Sequence, residues 1–411
     1  MRRVLITGIG IIAPSGLGRE RFWNAILNGT TLIGPITRFD ASGYSCQIAG
    51  HVDDAVLDEA SDPRKRRTAS HATRMALVAA DDALRDARLS LEGTEPDGVG
   101  VCLGTALGGW TDGERQYGVL LERGVRRLNP FLVSGSGNHG PGVEVASAIG
   151  AQGVQVTFSS GCPSSLQAIG YGASLIANGT LDICLAGGTE SPLSPMVVAA
   201  LSRTNELSTT NADPSRASRP FDVRHNGMVL TEGSCILVLE SEESVVRRSA
   251  QPYAEILGSL TSCDARGMYG ADADGTAGGR AVHRLLSACG LPPTQLDHIC
   301  AHANGSPSFD RKEVLVLKRS LGEFAARTPV TSIKGVLGHP FGAAGSFQVA
   351  ASVLTIDSNI IPPTHNLDSP APECDLEFVR DKPREENVGS VLITSYGYGG
   401  VNSYLVVRRA A

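Results

Sequence analysis

The stretch "FSSGCPSSLQAIG" at residues 158–170 places a cysteine between a strand-like segment and a helix-like segment. Residues 153–158 alternate and are rich in β-branched side chains, which predicts a strand. After Cys162, apolar residues recur at spacings of three and four, which predicts a helix that begins at Pro163. The thiol would then lie at the N-terminal end of a helix, where free N–H groups favour a thiolate. The stretch alone is equally compatible with a buried structural cysteine.

Strand-like and helix-like segments alternate along the rest of the chain, which predicts an α/β fold with covered sheets. The order of strand, loop and helix in the first half recurs in the second. The segments that carry this repeat are 97–105, 153–158 and 181–191, and then 296–306, 329–356 and 389–400. We therefore predict two copies of one α/β unit, an N-terminal half at 1–250 with the cysteine and a C-terminal half at 251–411.

Composition limits the classes of function. The chain has 411 residues, of which 42% are hydrophobic and 19% charged, as in a globular protein with a large core. Its net charge of −6 gives no broad basic surface for nucleic acid. Nine scattered cysteines indicate reduced thiols rather than a disulfide framework. No run approaches the about 18 apolar residues that cross a bilayer, so we expect a cytoplasmic protein with neither nucleic acid nor membrane as a partner.

Three further motifs are weak. "GIGIIA" at 8–13 fits a dinucleotide fingerprint, but turn residues follow it where a helix must open, so we predict no nucleotide site. The cysteines form no C-x-x-C pair and the histidines no H-E-x-x-H motif, so we predict no metal. The basic run at 62–74 is either a solvated surface or a docking site for an acidic partner.

His302 and His339 each follow a strand-like run and stand beside small residues, in "CAHANGS" and "LGHPFGAAG". A lone histidine is more often a satisfied core or surface group than a catalyst. However, loops at strand ends are where α/β folds place their sites, and small neighbours leave room for a ligand. If the duplication brings both loops to Cys162, the site holds one nucleophile and two imidazoles. That set suits acyl transfer followed by stabilisation of an oxyanion or enolate.

Taken together, these motifs resemble the β-ketoacyl-acyl-carrier-protein synthases, or ketosynthases. Cys162 in "SSGCPSSLQAIG", His302 in "AHANGS", and Lys334 with His339 in "SIKGVLGHPFGAAG" stand in that family's order. "SYGYGGVNS" at 395–403 is similar to the family's terminal glycine-rich loop. The opening "VLITGIGIIAPSGLG" and the central "SRPFDVRHNGMVLTEGS" are similar as well, so the resemblance covers essentially the whole chain.

The resemblance implies a thiolase-like fold, with two pseudo-symmetric duplicated α/β halves in a five-layer αβαβα sandwich. It implies a decarboxylative Claisen condensation, in which Cys162 takes an acyl chain from the phosphopantetheine of an acyl-carrier protein. Malonyl-acyl-carrier protein then loses CO2 and attacks that chain, giving β-ketoacyl-acyl-carrier protein without a further cofactor. The implied partners are the carrier protein and, in a homodimer or a heterodimer, a second copy or a chain-length-factor-like homologue. The expected setting is a type II polyketide or specialised fatty-acid system.

Site residues also follow from the resemblance. It implies four catalytic residues, Cys162, His302, His339 and Lys334. The backbone N–H groups of Cys162 and Tyr398 would form the oxyanion hole, and the two neutral histidines would donate hydrogen bonds to the malonyl thioester oxygen. Lys334 would pair with Glu313, which orders the histidine loops. The residues expected to contact the substrate are Asn304, Ser306, Tyr398 and, on a segment that reaches across to the partner subunit, Phe131.

The chain departs from the family pattern at several positions. Where the family has G-T-x-T after the histidine, this chain has Ala303-Asn304-Gly305-Ser306. Gln348 stands where an acidic residue usually follows "GAAG". These departures indicate a specialised synthase and leave two alternatives open. One is an acyltransferase of the same family that does not decarboxylate, and the other is a non-catalytic chain-length-factor-like subunit, against which Cys162 argues.

Overall fold

A computed structural model describes residues 1–66, 68–268, 272 and 274–410. In this part of the chain, ten strands and the two-residue Gly16–Leu17 form one mixed sheet. In chain order the ten strands are β1 (Val4–Ala13), β2 (Val99–Gly104), β3 (Gln155–Phe158), β4 (Ile183–Glu190), β5 (Gly233–Ser241), β6 (Ala254–Cys263), β7 (His298–Cys300), β8 (Val330–Thr331), β9 (Ser390–Tyr396) and β10 (Val401–Arg409).

The order of strands across the sheet shows the duplication directly. It runs β8-β7-β9-β10-β6-β1-β5-β4-β2-β3, so each half repeats one order, mirrored about the centre. Strand directions match as well, since β2 and β7 each lie between two parallel neighbours, and β5 and β10 each lie between two antiparallel ones. The halves meet where β1 pairs with β6 through Leu5–Glu255 and Ile6–Ala254. The predicted pseudo-symmetric α/β halves are confirmed.

Helices cover both faces of each half. In chain order they are α1 (Arg19–Asn28), α2 (Asp54–Ala60), α3 (His71–Asp86), α4 (Trp110–Arg123), α5 (Leu132–Ser136), α6 (Gly140–Ile149), α7 (Ser164–Ala177), α8 (Pro195–Arg203), α9 (Glu242–Arg247), α10 (Thr276–Ala288), α11 (Pro307–Leu321), α12 (Lys334–Leu337) and α13 (Ala344–Ser358). Helices α7 and α13 contact each other and strands of both halves, which makes them the central layer. Helices α3 and α6 pack on the first half, and α10 packs with α11 on the second. This arrangement is the predicted αβαβα sandwich.

The glycines of "GIGIIA" serve packing. A Cβ on Gly10 would lie 1.9 Å from the Ala79 carbonyl oxygen of α3, and one on Gly8 would lie 2.3 Å from the Ala83 carbonyl oxygen. The strand continues through the motif to Ala13. The motif therefore allows β1 to approach α3 closely, which accounts for both glycines without a nucleotide.

The central helix α13 is apolar on every side in sequence, and residues 344–356 are all buried. An all-round apolar helix can be stable only inside a core. Gln348, which lies in the middle of this helix, is therefore a fully buried polar group.

The basic run at 62–74 is partly neutralised within the chain. Lys65 forms an ion pair with Glu144, and Arg74 forms one with Asp58. Arg67 lies outside the described residues. The run therefore offers less free positive charge than its sequence indicates. Within the described ranges, no helix combines the length and the apolar character that a membrane span requires.

Candidate active site

Cys162 lies in the turn between β3 and α7. Gly161 has a φ of 78°, in the left-handed region that glycine adopts without strain, and this bends the chain sharply after β3. Pro163 is the N-cap of α7, so the helix begins at Ser164, one residue later than predicted. The Ser160 N–H donates to Ser164 Oγ at 2.9 Å, which closes the turn. Cys162 is thereby held at the N-terminal end of α7 with 3% of its surface exposed.

The environment of the thiol differs from the sequence expectation. Burial raises the pKa of Cys162 to about 12, and the nearby charge of Lys334 offsets only part of this effect. A backbone N–H lowers the pKa, as the sequence led us to expect, but the effect of burial is larger and the net shift is upward. His339 Nε2 lies 3.1 Å from Cys162 Sγ. Cys162 is therefore a neutral thiol with an imidazole within reach of its proton.

The two histidines come from different elements and meet at the thiol. His302 follows β7, His339 follows α12, and their ring centroids are 5.2 Å apart with the planes at 88°. Neither side chain is exposed to solvent. Among the described residues, neither ring nitrogen of His302 has a hydrogen-bond partner, and the same holds for His339 Nδ1. Buried polar atoms without partners are rare and indicate a site that a ligand completes.

Both imidazoles are neutral at physiological pH. Burial lowers the pKa of His302 and of His339 well below the usual value, and the charge of Lys334 lowers both further. A neutral imidazole carries one N–H donor and one acceptor nitrogen. The pair can therefore donate hydrogen bonds to an oxygen that gains negative charge.

Lys334 does not form the predicted pair with Glu313 among the described ion pairs. Lys334 Nζ instead donates to the His302 carbonyl oxygen at 2.5 Å. The carboxylate of Glu313 accepts the N–H groups of His302 at 2.9 Å and Ala303 at 2.7 Å, together with the hydroxyl of Thr394. Lys334 and Glu313 therefore both hold the segment His302–Ala303. Lys334 donates to its carbonyl oxygen, and Glu313 accepts its two N–H groups.

The predicted oxyanion hole depends on a close approach of two loops. A Cβ on Gly397 would lie 2.7 Å from Pro163 Cδ and 3.4 Å from Cys162 N, so only glycine lets the loop after β9 come this near. Among the backbone hydrogen bonds that the described residues form outside helices and strands, none has the N–H of Cys162 or Tyr398 as its donor. The Tyr398 side chain is half-buried and packs against the apolar cluster that contains Cys162.

The predicted substrate contacts divide into two groups. Asn304 and Ser306 are buried near His302, where Asn304 Oδ1 accepts the Ser306 N–H at 3.0 Å. Ser306 Oγ donates to Glu206 Oε2 at 2.8 Å. Phe131 does not join them, because it precedes α5 at the surface with 49% of its area exposed.

Sequence reasoning missed Glu190, a fully buried carboxyl at the end of β4. It accepts the N–H groups of Ala106 at 2.6 Å and Gly342 at 3.0 Å, and so ties together two loops near Cys162. Burial raises its pKa to about 7 despite these hydrogen bonds. The sequence feature that could have identified Glu190 is its position immediately after the apolar run "ICLAGGT" at residues 183–189.

Apolar side chains complete the surroundings of the thiol. Cys162 shares a buried cluster with Leu193, Val198, Met228 and Phe341. This surface fits an acyl chain better than a polar substrate. Within the described residues, no group of three or more histidine, cysteine, aspartate or glutamate side chains is placed to hold a metal ion.

Comparison with known families decides the assignment. The model of the β-ketoacyl synthase N-terminal domain matches residues 1–244, and that of the C-terminal domain matches residues 253–368. The chain belongs to the β-ketoacyl synthase family. The resemblance inferred from the motifs is confirmed, and this β-ketoacyl synthase is an acyl-transferring condensing enzyme.

Individual relatives agree with that family. The β-ketoacyl synthase is 40% identical to the granaticin polyketide putative beta-ketoacyl synthase 1 of Streptomyces violaceoruber, over 99% of this chain and 98% of that one. Two solved structures match over the full length of both chains at 29% identity. One is a type II polyketide synthase acyl-carrier protein in complex with its ketosynthase bound to a hexaketide, at a TM-score of 0.91. The other is the ishigamide ketosynthase/chain length factor, at 0.93.

Proposed function

We propose that the enzyme joins an acyl chain on Cys162 to malonyl-acyl-carrier protein by decarboxylative condensation, in a type II polyketide or specialised fatty-acid system. The observation that carries this proposal is the position of the thiol 3.1 Å from His339, beside a second imidazole whose nitrogens have no partner among the described residues. A simple acyl transfer needs only one base near the nucleophile. The second unpartnered imidazole gives the site the further donor that an enolate requires.

In the acylation step, His339 Nε2 takes the proton of Cys162, and the thiolate attacks the thioester carbonyl of the carrier-bound acyl chain. The N–H groups of Cys162 and Tyr398 donate to the oxyanion that forms. The tetrahedral intermediate collapses by breaking the bond to the carrier sulfur, and the proton on His339 passes to that sulfur. The acyl chain remains as a thioester on Cys162, and the carrier thiol leaves.

In the condensation step, His302 and His339 donate hydrogen bonds to the thioester oxygen of the malonyl group. This stabilises the enolate that forms when the bond to the terminal carboxylate breaks and CO2 leaves. The enolate carbon attacks the acyl carbonyl on Cys162, and the bond to sulfur breaks. Cys162 leaves as a thiolate and takes up one proton from solvent, which restores the neutral thiol. Lys334 supports both donors, because its positive charge adds to the effect of burial in lowering the pKa of both imidazoles and its Nζ donates a hydrogen bond to the His302 backbone.

The proposed partners follow from the surface and from the relatives. Helices α4 and α5 contain no buried residue, yet they carry apolar side chains such as Trp110, Tyr117 and Leu121. We infer that a second copy or a chain-length-factor-like homologue covers this face and that Phe131 reaches the substrate from there. An acyl-carrier protein delivers both substrates, and the phosphopantetheine it carries is the only cofactor involved.

Two assignments complete the proposal. The boundary near residue 250 separates an N-terminal half, 1–250, that supplies the nucleophile from a C-terminal half, 251–411, that supplies both histidines. The reaction takes place in the cytoplasm, where carrier-bound thioesters are made.

The experiment measures CO2 release from malonyl-acyl-carrier protein while mass spectrometry follows the mass of Cys162. We expect acyl-Cys162 to form from the acyl donor and CO2 to be released in proportion to the β-ketoacyl product. Acyl transfer without CO2 release would instead identify the acyltransferase alternative. Absence of any acyl adduct on Cys162 would identify a non-catalytic subunit.

A further inference from the structure

Gln348 is surrounded by hydrogen-bond partners at the centre of the molecule. Its side-chain Nε2 carries two N–H groups and lies within hydrogen-bond distance of three carbonyl oxygens, those of Cys300 at 3.1 Å, Ala301 at 2.9 Å and Thr394 at 3.0 Å, so one N–H is shared between two of them. Its Oε1 accepts Lys334 Nζ at 3.2 Å. The side chain is completely buried, so solvent does not compete for these hydrogen bonds.

Only one orientation of the amide fits these partners. If Oε1 and Nε2 were exchanged, the oxygen would face three carbonyl oxygens and the NH2 group would face an ammonium. A carboxylate has no donor at all, and a protonated carboxyl has one. Of these groups, only a carboxamide can donate two hydrogen bonds to the carbonyls and also accept from Lys334.

The three carbonyls mark the ends of two neighbouring strands. Cys300 is the last residue of β7, and His302 follows it by two positions. Thr394 lies two residues before the end of β9, after which the chain enters the loop with Tyr398. Gln348 therefore joins the segment that carries one imidazole to the segment that supplies an oxyanion donor.

The hydrogen bonds of Lys334 Nζ are to uncharged oxygens, those of His302 and Gln348. Glu313 is occupied by the backbone N–H groups of His302 and Ala303. The titratable groups that influence Lys334, or are influenced by it, come from several elements and are Cys162, Cys300, His302, Asp310, Glu313 and His339. The Gln348 amide thus holds the Lys334 ammonium by a hydrogen bond and, because it is uncharged, does not neutralise the positive charge.

We propose that Gln348 is a positioning residue for the condensation, which holds Lys334 and the loops of His302 and Tyr398 in place through a neutral carboxamide. It touches neither substrate nor the reacting atoms. Its effect passes through Lys334 and the two strand ends. The inference rests on the proposed function, because it assigns the support of the same site.

The test compares Gln348→Glu with Gln348→Met, in the full-length enzyme with malonyl-acyl-carrier protein as the probe. In Gln348→Glu, we expect CO2 release at pH 8 to fall by about tenfold or more relative to wild type, the scale of one hydrogen bond to a charged group. At pH 6 the loss should be smaller, because a protonated carboxyl can again donate one hydrogen bond. Gln348→Met has a similar volume and no donor, so its loss should not depend on pH.

Two controls separate positioning from general damage. Thr355→Val alters another buried polar group of α13, one whose hydroxyl has no partner among the described residues, and it should leave CO2 release unchanged. In a double-mutant cycle, Gln348→Met should cost less when Lys334 is already methionine than in the wild type. Gln348→Met also keeps the test decisive if Gln348→Glu does not fold.

The outcomes distinguish this inference from the function on which it rests. A wild-type enzyme that releases no CO2 would refute the proposed function. A wild type that condenses normally, with both Gln348 variants within about twofold of it at each pH, would refute the positioning role alone. Full additivity of Gln348→Met with Lys334→Met would also refute it.

Discussion

At the scale of single residues, the proposed nucleophile contacts its proposed proton acceptor, since Cys162 Sγ lies 3.1 Å from His339 Nε2. Cys162→Ala removes the sulfur and little volume, so we expect loss of the acyl-enzyme and of condensation with the fold retained. Mass spectrometry after incubation with acyl-carrier substrate, together with circular dichroism, measures both. Condensation at the wild-type rate by Cys162→Ala would contradict the assignment of the nucleophile.

The two histidines should separate the half-reactions. His302→Ala and His339→Ala each remove one donor to the enolate oxygen, so CO2 release should fall by about 10²-fold in both. Formation of acyl-Cys162 should suffer more in His339→Ala, because, of the two histidines, it is His339 that forms a hydrogen bond with the sulfur. Parallel assays of CO2 release and of acyl-enzyme formation test this difference. Equal effects on acylation would mean that His339 does not take the thiol proton.

The sequence was sufficient to predict that Cys162, His302 and His339 lie together, because each stands in a loop that follows a strand-like run; their catalytic roles stay predictions. It was not sufficient for the pKa of the thiol, which depends on how much water the folded chain excludes from the site. It also misassigned the partner of Lys334. That contact depends on distances of a few ångströms between α12, α11 and β7, which no local pattern encodes.

At the scale of elements, the loop after β9 must approach the start of α7 closely enough for their N–H groups to converge. Gly397→Ala places a Cβ 2.7 Å from Pro163 Cδ and should push the loop away. We expect formation of acyl-Cys162 to slow by about 10²-fold, the value of one oxyanion donor. Gly34→Ala is the matched control, since a Cβ there meets nothing within 4 Å. An unchanged acylation rate in Gly397→Ala would remove Tyr398 from the oxyanion hole.

A buried ion pair within the N-terminal half joins the segment before β5 to the segment that carries Arg38. Glu232 has 1% of its side chain exposed and accepts Arg38 Nη2 at 2.7 Å, with His71 Nε2 at 3.6 Å. Burial alone would raise the pKa of Glu232, but these two partners lower it to about 2. The contribution to stability is therefore complete above the unfolded pKa of 4.5 and is lost as the pH falls through the folded value.

Glu232→Gln should lower the free energy of unfolding by about 3 kcal/mol at pH 7, since it leaves Arg38 without its buried partner. The difference from wild type should shrink as the pH falls below 4.5. Urea unfolding at pH 7 and at pH 4 measures it, with Glu243→Gln on the exposed side of α9 as the control. A difference that grows on acidification would contradict the depressed pKa of Glu232.

The strand and helix repeat was visible in the sequence because each copy keeps its own periodicity and ends in a glycine-rich loop. The junction of β1 with β6 was not visible, because two backbone pairs leave no side-chain pattern. The role of Gln348 was also hidden. The sequence marked it as a departure, but its partners lie 14 to 48 residues away along the chain.

At the scale of the whole molecule, the unburied helix α4 and the half-exposed Phe131 predict a dimer. We expect analytical ultracentrifugation to show a dimer, either of two copies of this chain or of this chain with a chain-length-factor-like homologue. Leu121→Glu puts a charge on the apolar face of α4, where the side chain is 70% exposed in the single chain, and should weaken association by at least about tenfold. Val246→Glu on α9 is the control, with a similar exposure of 71%. A monomer with full condensing activity would contradict the predicted assembly.

The burial of the Cys162 thiol also determines when oxidation would inactivate the enzyme. Peroxide and disulfides react with thiolates that they can reach, and Cys162 at rest is neither ionised nor exposed. A resting enzyme is therefore protected from sulfenic acid formation without a dedicated reducing partner. In the proposed mechanism, this protection ends when the carrier-bound substrate enters the site and His339 takes the proton of Cys162. Oxidative inactivation would then increase with the number of catalytic cycles rather than with the time spent in solution.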